Sequence, residues 1–158
     1  MARPGSVFSR MLRAAQLQST LYEEVEADTG ATGQALLAVM LVSVATAVGS
    51  GLTALDNGGA EHLAWNAIFS LGTAIAGWLL WALFVYVFGV SILKGAHTSS
   101  TWGEVLRPMG FAGSPGVLRV FSFMPVAGNI ISVAASVWAL VAAVIAVRQA
   151  LDCSTLRA

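Results

Sequence analysis

The stretch Glu104-Val-Leu-Arg-Pro-Met-Gly-Phe-Ala-Gly-Ser-Pro-Gly-Val-Leu-Arg119 decides the fold of this chain. It is largely apolar, yet it contains two prolines and three glycines, which interrupt helices. Inside a bilayer, each backbone group that an interruption leaves without a partner costs several kcal/mol. Such a break is tolerated only where neighbouring helices or trapped water cover it. We therefore interpret the rest of the chain as a set of helices that shelters this break.

The composition predicts an integral membrane protein. Of the 158 residues, 57% are hydrophobic and only 10% are charged, whereas soluble domains carry about 25% charged residues. That deficit is too large for a surface in contact with water. The formal net charge of zero also excludes a strongly basic nucleic-acid-binding protein, so we expect no nucleic-acid partner.

Metal, cofactor and disulfide sites are not expected. Cys153 is the single cysteine, and the chain has two histidines, His62 and His97, which we interpret as loop residues. No signal peptide is expected either, because the first 30 residues contain three arginines and four acids and lack a continuous apolar core.

Residues 1–33 are predicted to form an amphipathic helix, Val7–Glu26, and a short linker. At 100° per residue, one face collects apolar residues and the opposite face carries Arg10 and Arg13. The apolar residues on that face are Phe8, Met11, Leu12, Ala15 and Tyr22. The helix either lies in the headgroup layer, with its arginines near anionic lipid, or packs under the bundle. The acidic cluster of Glu23, Glu24, Glu26 and Asp28 is interpreted as a solvated helix end.

The membrane domain is predicted to be an all-α bundle of four transmembrane helices within residues 34–151, followed by a cytoplasmic tail, 152–158. The four predicted spans are residues 34–55, 64–93, 108–126 and 130–151. The second would reach about 45 Å, so it must tilt or project past a hydrocarbon core of roughly 30 Å. The third should break at Pro115-Gly116, and residues 94–107 are predicted to be a loop.

Small residues predict where these helices pack closely. Ala45 and Gly49 give the first span a small-xxx-small face, and Ser132 and Ser136 do the same in the fourth. Trp78 and Trp81 lie at mid-depth in the second span, where they either pack within the bundle or stack on a pigment or quinone.

Apart from Arg148 near the end of the fourth segment, Arg119 is the only charged residue within the four apolar segments. An arginine at the middle of a bilayer costs about 2.5–3.5 kcal/mol even on the mildest scale, so it must reach an interface or find a partner. Two interpretations stay open: a structural arginine that snorkels to the interface, or a functional one at an anion site, a partner contact or a latch.

The distribution of lysine and arginine predicts the orientation. All but Arg119 of the eight basic residues fall on one side of the predicted topology. They are Arg3, Arg10, Arg13, Lys94, Arg107, Arg148 and Arg157. Because positive residues mark the cytoplasmic side, we expect a protein of the inner, cytoplasmic membrane with both termini in the cytoplasm.

The sequence resembles the Yip family, small membrane proteins that comprise Ypt/Rab-interacting proteins and their bacterial relatives, and most of all its short bacterial members. The resemblance covers most of the chain and is carried by Tyr22-Glu-Glu-Val-Glu-Ala-Asp28, Leu106-Arg107-x-x-Gly110-Phe111-Ala112-x-x-Pro115-Gly116-Val117-Leu118, Pro125-x-x-Gly128, Trp138 and Ala146-Val-Arg-Gln-Ala-Leu-Asp152. It implies an all-helical membrane domain without established catalysis. No small GTPase partner is expected, because this chain lacks the Asp-Leu-Tyr-Gly-Pro element of the eukaryotic members.

These observations predict a non-enzymatic membrane protein that acts as a scaffold or accessory subunit and docks on partner helices, with membrane lipid, partner membrane proteins or a second copy as partners. The candidate structural and partner site comprises Arg107, Gly110, Phe111, Pro115, Gly116 and Arg119. The alternative is a small-solute or ion carrier or channel centred on the broken third helix. An enzyme is not expected, since no histidine or lysine lies inside a span to activate a serine.

Overall fold

The computed structural model describes residues 5–56, 63–91 and 101–151, and it is helical throughout these ranges, with no strand among them. The elements are α1 (Val7–Ala15), α2 (Ser19–Ala27), α3 (Ala31–Asp56), α4 (Leu63–Ser91), α5 (Trp102–Ala112), a 3₁₀ helix (Ser114–Phe123) and α6 (Ala127–Ala150). The predicted loop histidines, His62 and His97, and the tail 152–158 lie outside the described residues.

Three of the described helices are long and apolar enough to cross a membrane. They are Ala31–Leu55 within α3, Leu63–Gly89 within α4, and α6. At 1.5 Å per residue, each exceeds the roughly 30 Å thickness of the hydrocarbon core. The chain is therefore a multi-pass membrane protein, and three of the four predicted spans coincide with these helices.

The predicted third span, 108–126, is not a spanning helix. It is divided between the second half of α5 and the 3₁₀ helix. The loop predicted up to Arg107 is also wrong at its end, because α5 already begins at Trp102, where the Glu104 carboxylate accepts a hydrogen bond from the Thr101 backbone N–H (2.7 Å). We call residues 102–123, α5 together with the 3₁₀ helix, the broken segment.

The N-terminal region is two short helices instead of the single one predicted. α1 ends at Ala15, and Leu17 adopts a positive φ of 59°, which is uncommon for a leucine and reverses the chain before α2. Met11 and Ala14 of α1 are buried under the bundle, while Phe8 and Leu12 face outwards. The face of α1 that carries Met11 and Ala14 therefore packs under the bundle, as one of the two interpretations predicts, whereas the face with Phe8 and Leu12 does not.

Arg10, placed by the sequence on the polar face of the predicted helix, is buried in the structure. Arg10 is only 2% exposed, and its Nη2 lies 3.1 Å from Glu24 Oε1 and 2.8 Å from Asp28 Oδ2. Arg13 Nη1 contacts the other Glu24 oxygen at 2.6 Å. The hydrogen bond from Arg13 lowers the pKa of Glu24, and the one from Arg10 lowers the pKa of Asp28. These two acids are thus ion-pair partners that hold α1 on α2, and only in part a solvated helix end.

The apolar core lies where α1 and α2 pack against α5, the beginning of α3 and the end of α6. Its fully buried members include Leu21, Tyr22, Val25, Ala35, Val105, Phe111 and Ala146. At this same end of the bundle, Gln149 near the end of α6 donates a hydrogen bond to the carboxylate of Glu23 in α2. The N-terminal helices and the end of α6 are therefore neighbours.

Candidate functional site at the broken segment

The break lies at Gly113, two residues before the predicted Pro115-Gly116. α5 ends at Ala112, and the 3₁₀ helix begins at Ser114 with a proline in its first turn. The Ser114 hydroxyl donates to the Phe111 carbonyl (2.6 Å), and the Gly116 N–H donates to the Gly113 carbonyl (2.8 Å). Backbone and side-chain groups near the break therefore bond to each other, and Phe111, Pro115 and Gly116 are buried.

The broken segment runs alongside α3 at contact distance. A Cβ placed on Gly110 would lie 2.8 Å from the Ala35 Cβ, and one on Gly116 would lie 2.7 Å from Val42 Cγ1. A Cβ on Gly49 would overlap the Arg119 carbonyl oxygen. Along the broken segment, increasing residue numbers contact increasing residue numbers of α3, so the two run parallel. From Ala35 to Gly49 this contact covers about 21 Å.

The small-residue face predicted on the first span therefore receives the 3₁₀ helix. Gly49 lies under the backbone of Arg119 and Val120, and Ala45, one turn earlier, is buried. Small residues let two backbones approach where larger side chains would hold them apart. After the 3₁₀ helix the chain reverses, and Gly128 at the beginning of α6 lies against the backbone of Ser122.

Arg107 fastens α5 to α2. Its side chain is 6% exposed, and its Nε donates to the Val25 carbonyl (2.9 Å) while its Nη2 donates to the Glu26 carbonyl. Both carbonyls belong to the last turn of α2, where helix geometry leaves C=O groups without intrahelical partners and the helix dipole favours a positive charge. Arg107 is therefore a cap that the chain supplies from about 80 residues away.

Trp78 connects α4 to the broken segment. Its indole Nε1 donates to the Leu106 carbonyl at 3.0 Å, which supports the interpretation of this tryptophan as a packing residue. Trp81 is half exposed and stacks on Phe84, with ring centroids 5.7 Å apart.

Arg119 lies on the 3₁₀ helix and is partly exposed. Its Nη2 donates to the Ser136 hydroxyl at 2.9 Å, and that hydroxyl donates to the Ser132 carbonyl at 2.8 Å. Within the described ranges no carboxylate forms an ion pair with Arg119. Asp56 and Glu61 are the two acids that the sequence places within reach of Arg119 if they lie on the same side of the membrane. Both fall outside this description, Glu61 as a residue and Asp56 as a side chain.

A cavity of about 660 Å³ opens between α3, α4 and the broken segment. Its lining includes Ser43, Thr46, Ser70, Thr73, Trp78, Trp81, Gly110, Gly113 and Arg119. Of the six predicted site residues, Gly110 and Arg119 meet here, whereas Arg107, Phe111, Pro115 and Gly116 hold the segment in place from the protein interior.

The hydroxyl residues of the cavity were not predicted. Ser43 and Ser70 come from two different spans, and the one signal for them in the sequence is that they are hydroxyls inside uncharged helices. None of the described residues that line the cavity is His, Cys, Asp or Glu. The parts of the chain described by the structure also contain no group of three or more such residues that could hold a metal ion. The chemistry that the cavity offers is hydrogen bonding from hydroxyls and a guanidinium.

Comparison with known proteins identifies the family. The family model of the Yip1 domain matches residues 1–158, the whole chain. No curated protein and no solved structure gives a significant match. The match confirms the resemblance predicted from the residues, and it agrees with the apolar membrane helices described above. This chain belongs to the Yip1 domain family of helical membrane proteins.

Proposed function

We propose that this protein is a non-enzymatic scaffold or accessory subunit that docks on a helix of a partner membrane protein. The observation that carries the proposal is the exposure of α4. Within its most hydrophobic window only 6% of the residues are buried, compared with 28% for α3 and 22% for α6. The longest helix of the protein therefore presents most of its surface to its surroundings.

The outer face of α4 combines large apolar side chains with a small-residue notch. The exposed large residues on this face are Trp65, Ile68, Phe69, Leu80, Leu83 and Val87. Between them lie Gly72 and Ala76, four residues apart and both exposed, and a Cβ on Gly72 would have no neighbour within 4 Å. Lipid chains need no such notch, whereas a neighbouring helix uses small residues to bring its backbone close.

The orientation that we propose places α1, α2 and the end of α6 on the cytoplasmic side of the inner membrane. Seven basic residues fall on this side of the proposed topology, and positive residues favour the cytoplasmic side. The hydrogen bond between Gln149 and Glu23 joins the end of α6 to α2, which supports an even number of membrane crossings between them. The broken segment is then the third crossing of a four-segment domain, 34–151, which lies between residues 1–33 and the tail 152–158.

Replacing Ala76 with leucine is expected to fill the notch and to weaken association about tenfold, equivalent to ~1.4 kcal/mol. The measurement is the mass of the complex purified in mild detergent, by light scattering. The matched control is Ala134→Leu on the exposed face of α6, which adds the same side chain and should leave the complex intact.

Equal loss of the complex in both variants, or a wild-type protein that is monomeric in nanodiscs, would contradict the proposal. Mixing two differently tagged copies separates a partner protein from self-association: co-purification of the two tags would identify the docked helix as a second copy.

A further inference from the structure

The cavity at the broken segment shares one lining residue, Ser43, with an apolar groove. The groove, of about 550 Å³, lies between α3 and α4, and Ser43 lines both spaces. From α3 the groove is lined by Val44, Val48, Leu52 and Leu55, and from α4 by Ala64, Ala67, Ile68 and Leu71. From Ser43 to Leu55 it follows α3 for about 18 Å. The cavity, which carries the hydroxyls and Arg119, and the apolar groove thus meet at Ser43.

Two hydroxyls of the cavity lack a hydrogen-bond partner among the described residues. Thr46 and Thr73 donate to carbonyls of their own helices, at 2.9 Å each, as threonines in helices commonly do. Ser43, which is 4% exposed, and Ser70 make no hydrogen bond of this kind. No buried side-chain oxygen or nitrogen among the described residues lacks a partner, so these two hydroxyls are open to the cavity, where a ligand or water can accept a hydrogen bond from them.

Arg119 adds further donors and a charge. A guanidinium carries five N–H donors, and the described residues accept only from Nη2 of Arg119, through Ser136. Among the described residues, the lining of the cavity contains no carboxylate that could neutralise it. Donors and a positive charge without an acidic partner are the chemistry that recognises an oxyanion.

We propose that the cavity binds the phosphate of an anionic phospholipid at Arg119, Ser43 and Ser70, and that one acyl chain of this lipid lies in the groove. The phosphate offsets the cost of an arginine in an apolar layer. The chain covers the apolar walls of the groove, and the hydroxyl of Ser43 lies where the polar and apolar parts of the ligand meet. A free phosphate ion would satisfy the donors but would leave the groove without an occupant.

Native mass spectrometry of the full chain in a neutral detergent tests this proposal, with titrations of phosphatidylglycerol, phosphatidylcholine and inorganic phosphate. We expect one phosphatidylglycerol per protein and at least tenfold weaker retention of phosphatidylcholine and of inorganic phosphate. Arg119→Leu and Ser43→Ala should weaken the retention of phosphatidylglycerol, the former about tenfold or more, whereas Arg119→Lys should keep part of it.

A second pair of variants tests the groove separately. Ala67→Trp fills the groove from α4 and should weaken lipid retention, while Leu80→Trp places the same side chain on the outer face of that helix and should not. Unchanged retention in Arg119→Leu overturns the phosphate site. Equal retention of phosphatidylcholine overturns the preference for an anionic lipid, and equal retention of phosphatidylglycerol by wild type and Ala67→Trp overturns the acyl-chain position. Melting curves of every variant identify loss of binding that comes from unfolding.

Discussion

Replacing Arg107 with leucine is expected to lower the free energy of unfolding by about 2–5 kcal/mol, because the carbonyls of Val25 and Glu26 at the end of α2 lose the hydrogen bonds that this guanidinium donates. A buried acceptor left without a partner costs ~1–3 kcal/mol, and the loss of a positive charge at a helix C-terminus adds ~0.3–1 kcal/mol. The measurement is denaturant unfolding in detergent, followed by tryptophan fluorescence.

The control is Arg107→Lys, which keeps the charge. A lysine presents one compact ammonium in place of the planar fork that reaches Val25 and Glu26 together, so its stability should lie between those of wild type and Arg107→Leu. If all three proteins unfold at the same denaturant concentration, Arg107 does not cap α2.

Replacing Gly110 with valine is expected to destabilise the protein by about 3 kcal/mol, because the added atoms meet the rigid Cβ and backbone of Ala35. Relief of the overlap would require α5 to move away from α3 along the whole contact. The matched control is Gly33→Val in the first turns of α3, where a Cβ has no neighbour within 4 Å and the change should be close to neutral.

Thermal unfolding of both glycine variants in the same detergent measures the difference. Equal melting temperatures for Gly110→Val and Gly33→Val would mean that the broken segment does not pack on α3 as described. A loss confined to Gly110→Val would support the close packing of α5 on α3.

Much of this fold is predictable from sequence because its signals are local. Uncharged runs of membrane length predicted α3, α4 and α6, and the cluster of prolines and glycines predicted the interruption within two residues of Gly113. The pair Ala45 and Gly49 predicted a face for close packing, and the 3₁₀ helix occupies it.

The features that sequence reasoning missed depend on partners far away along the chain. Arg107 is expected to mark the end of a loop because it is charged, yet carbonyls of α2 make it a buried residue. Arg10 is likewise buried by Glu24 and Asp28, because ion pairs compensate for its burial. The turn at Leu17 carries no glycine or proline, so nothing in its composition predicts that the N-terminal helix divides there.

The number of residues in the third apolar segment underestimates the distance that the segment covers, for a geometric reason. The nineteen residues of the predicted third span, 108–126, would barely cross the membrane as two α-helical pieces, but after the break the chain forms a 3₁₀ helix. A 3₁₀ helix rises ~2.0 Å per residue, so its ten residues cover ~20 Å where an α-helix would cover ~15 Å. The 3₁₀ helix therefore extends the broken segment further along α3 than an α-helix of the same number of residues would.

The central claim is that the broken segment runs outwards beside α3, so that α6 returns to the N-terminal helices. A double-cysteine variant, Glu23→Cys with Gln149→Cys in a Cys153→Ser background, tests it directly. The account predicts an efficient crosslink between the two positions in intact membranes, and labelling of both by an impermeant maleimide from the same side. Absence of the crosslink, with the two cysteines labelled from opposite sides of the membrane, would contradict it.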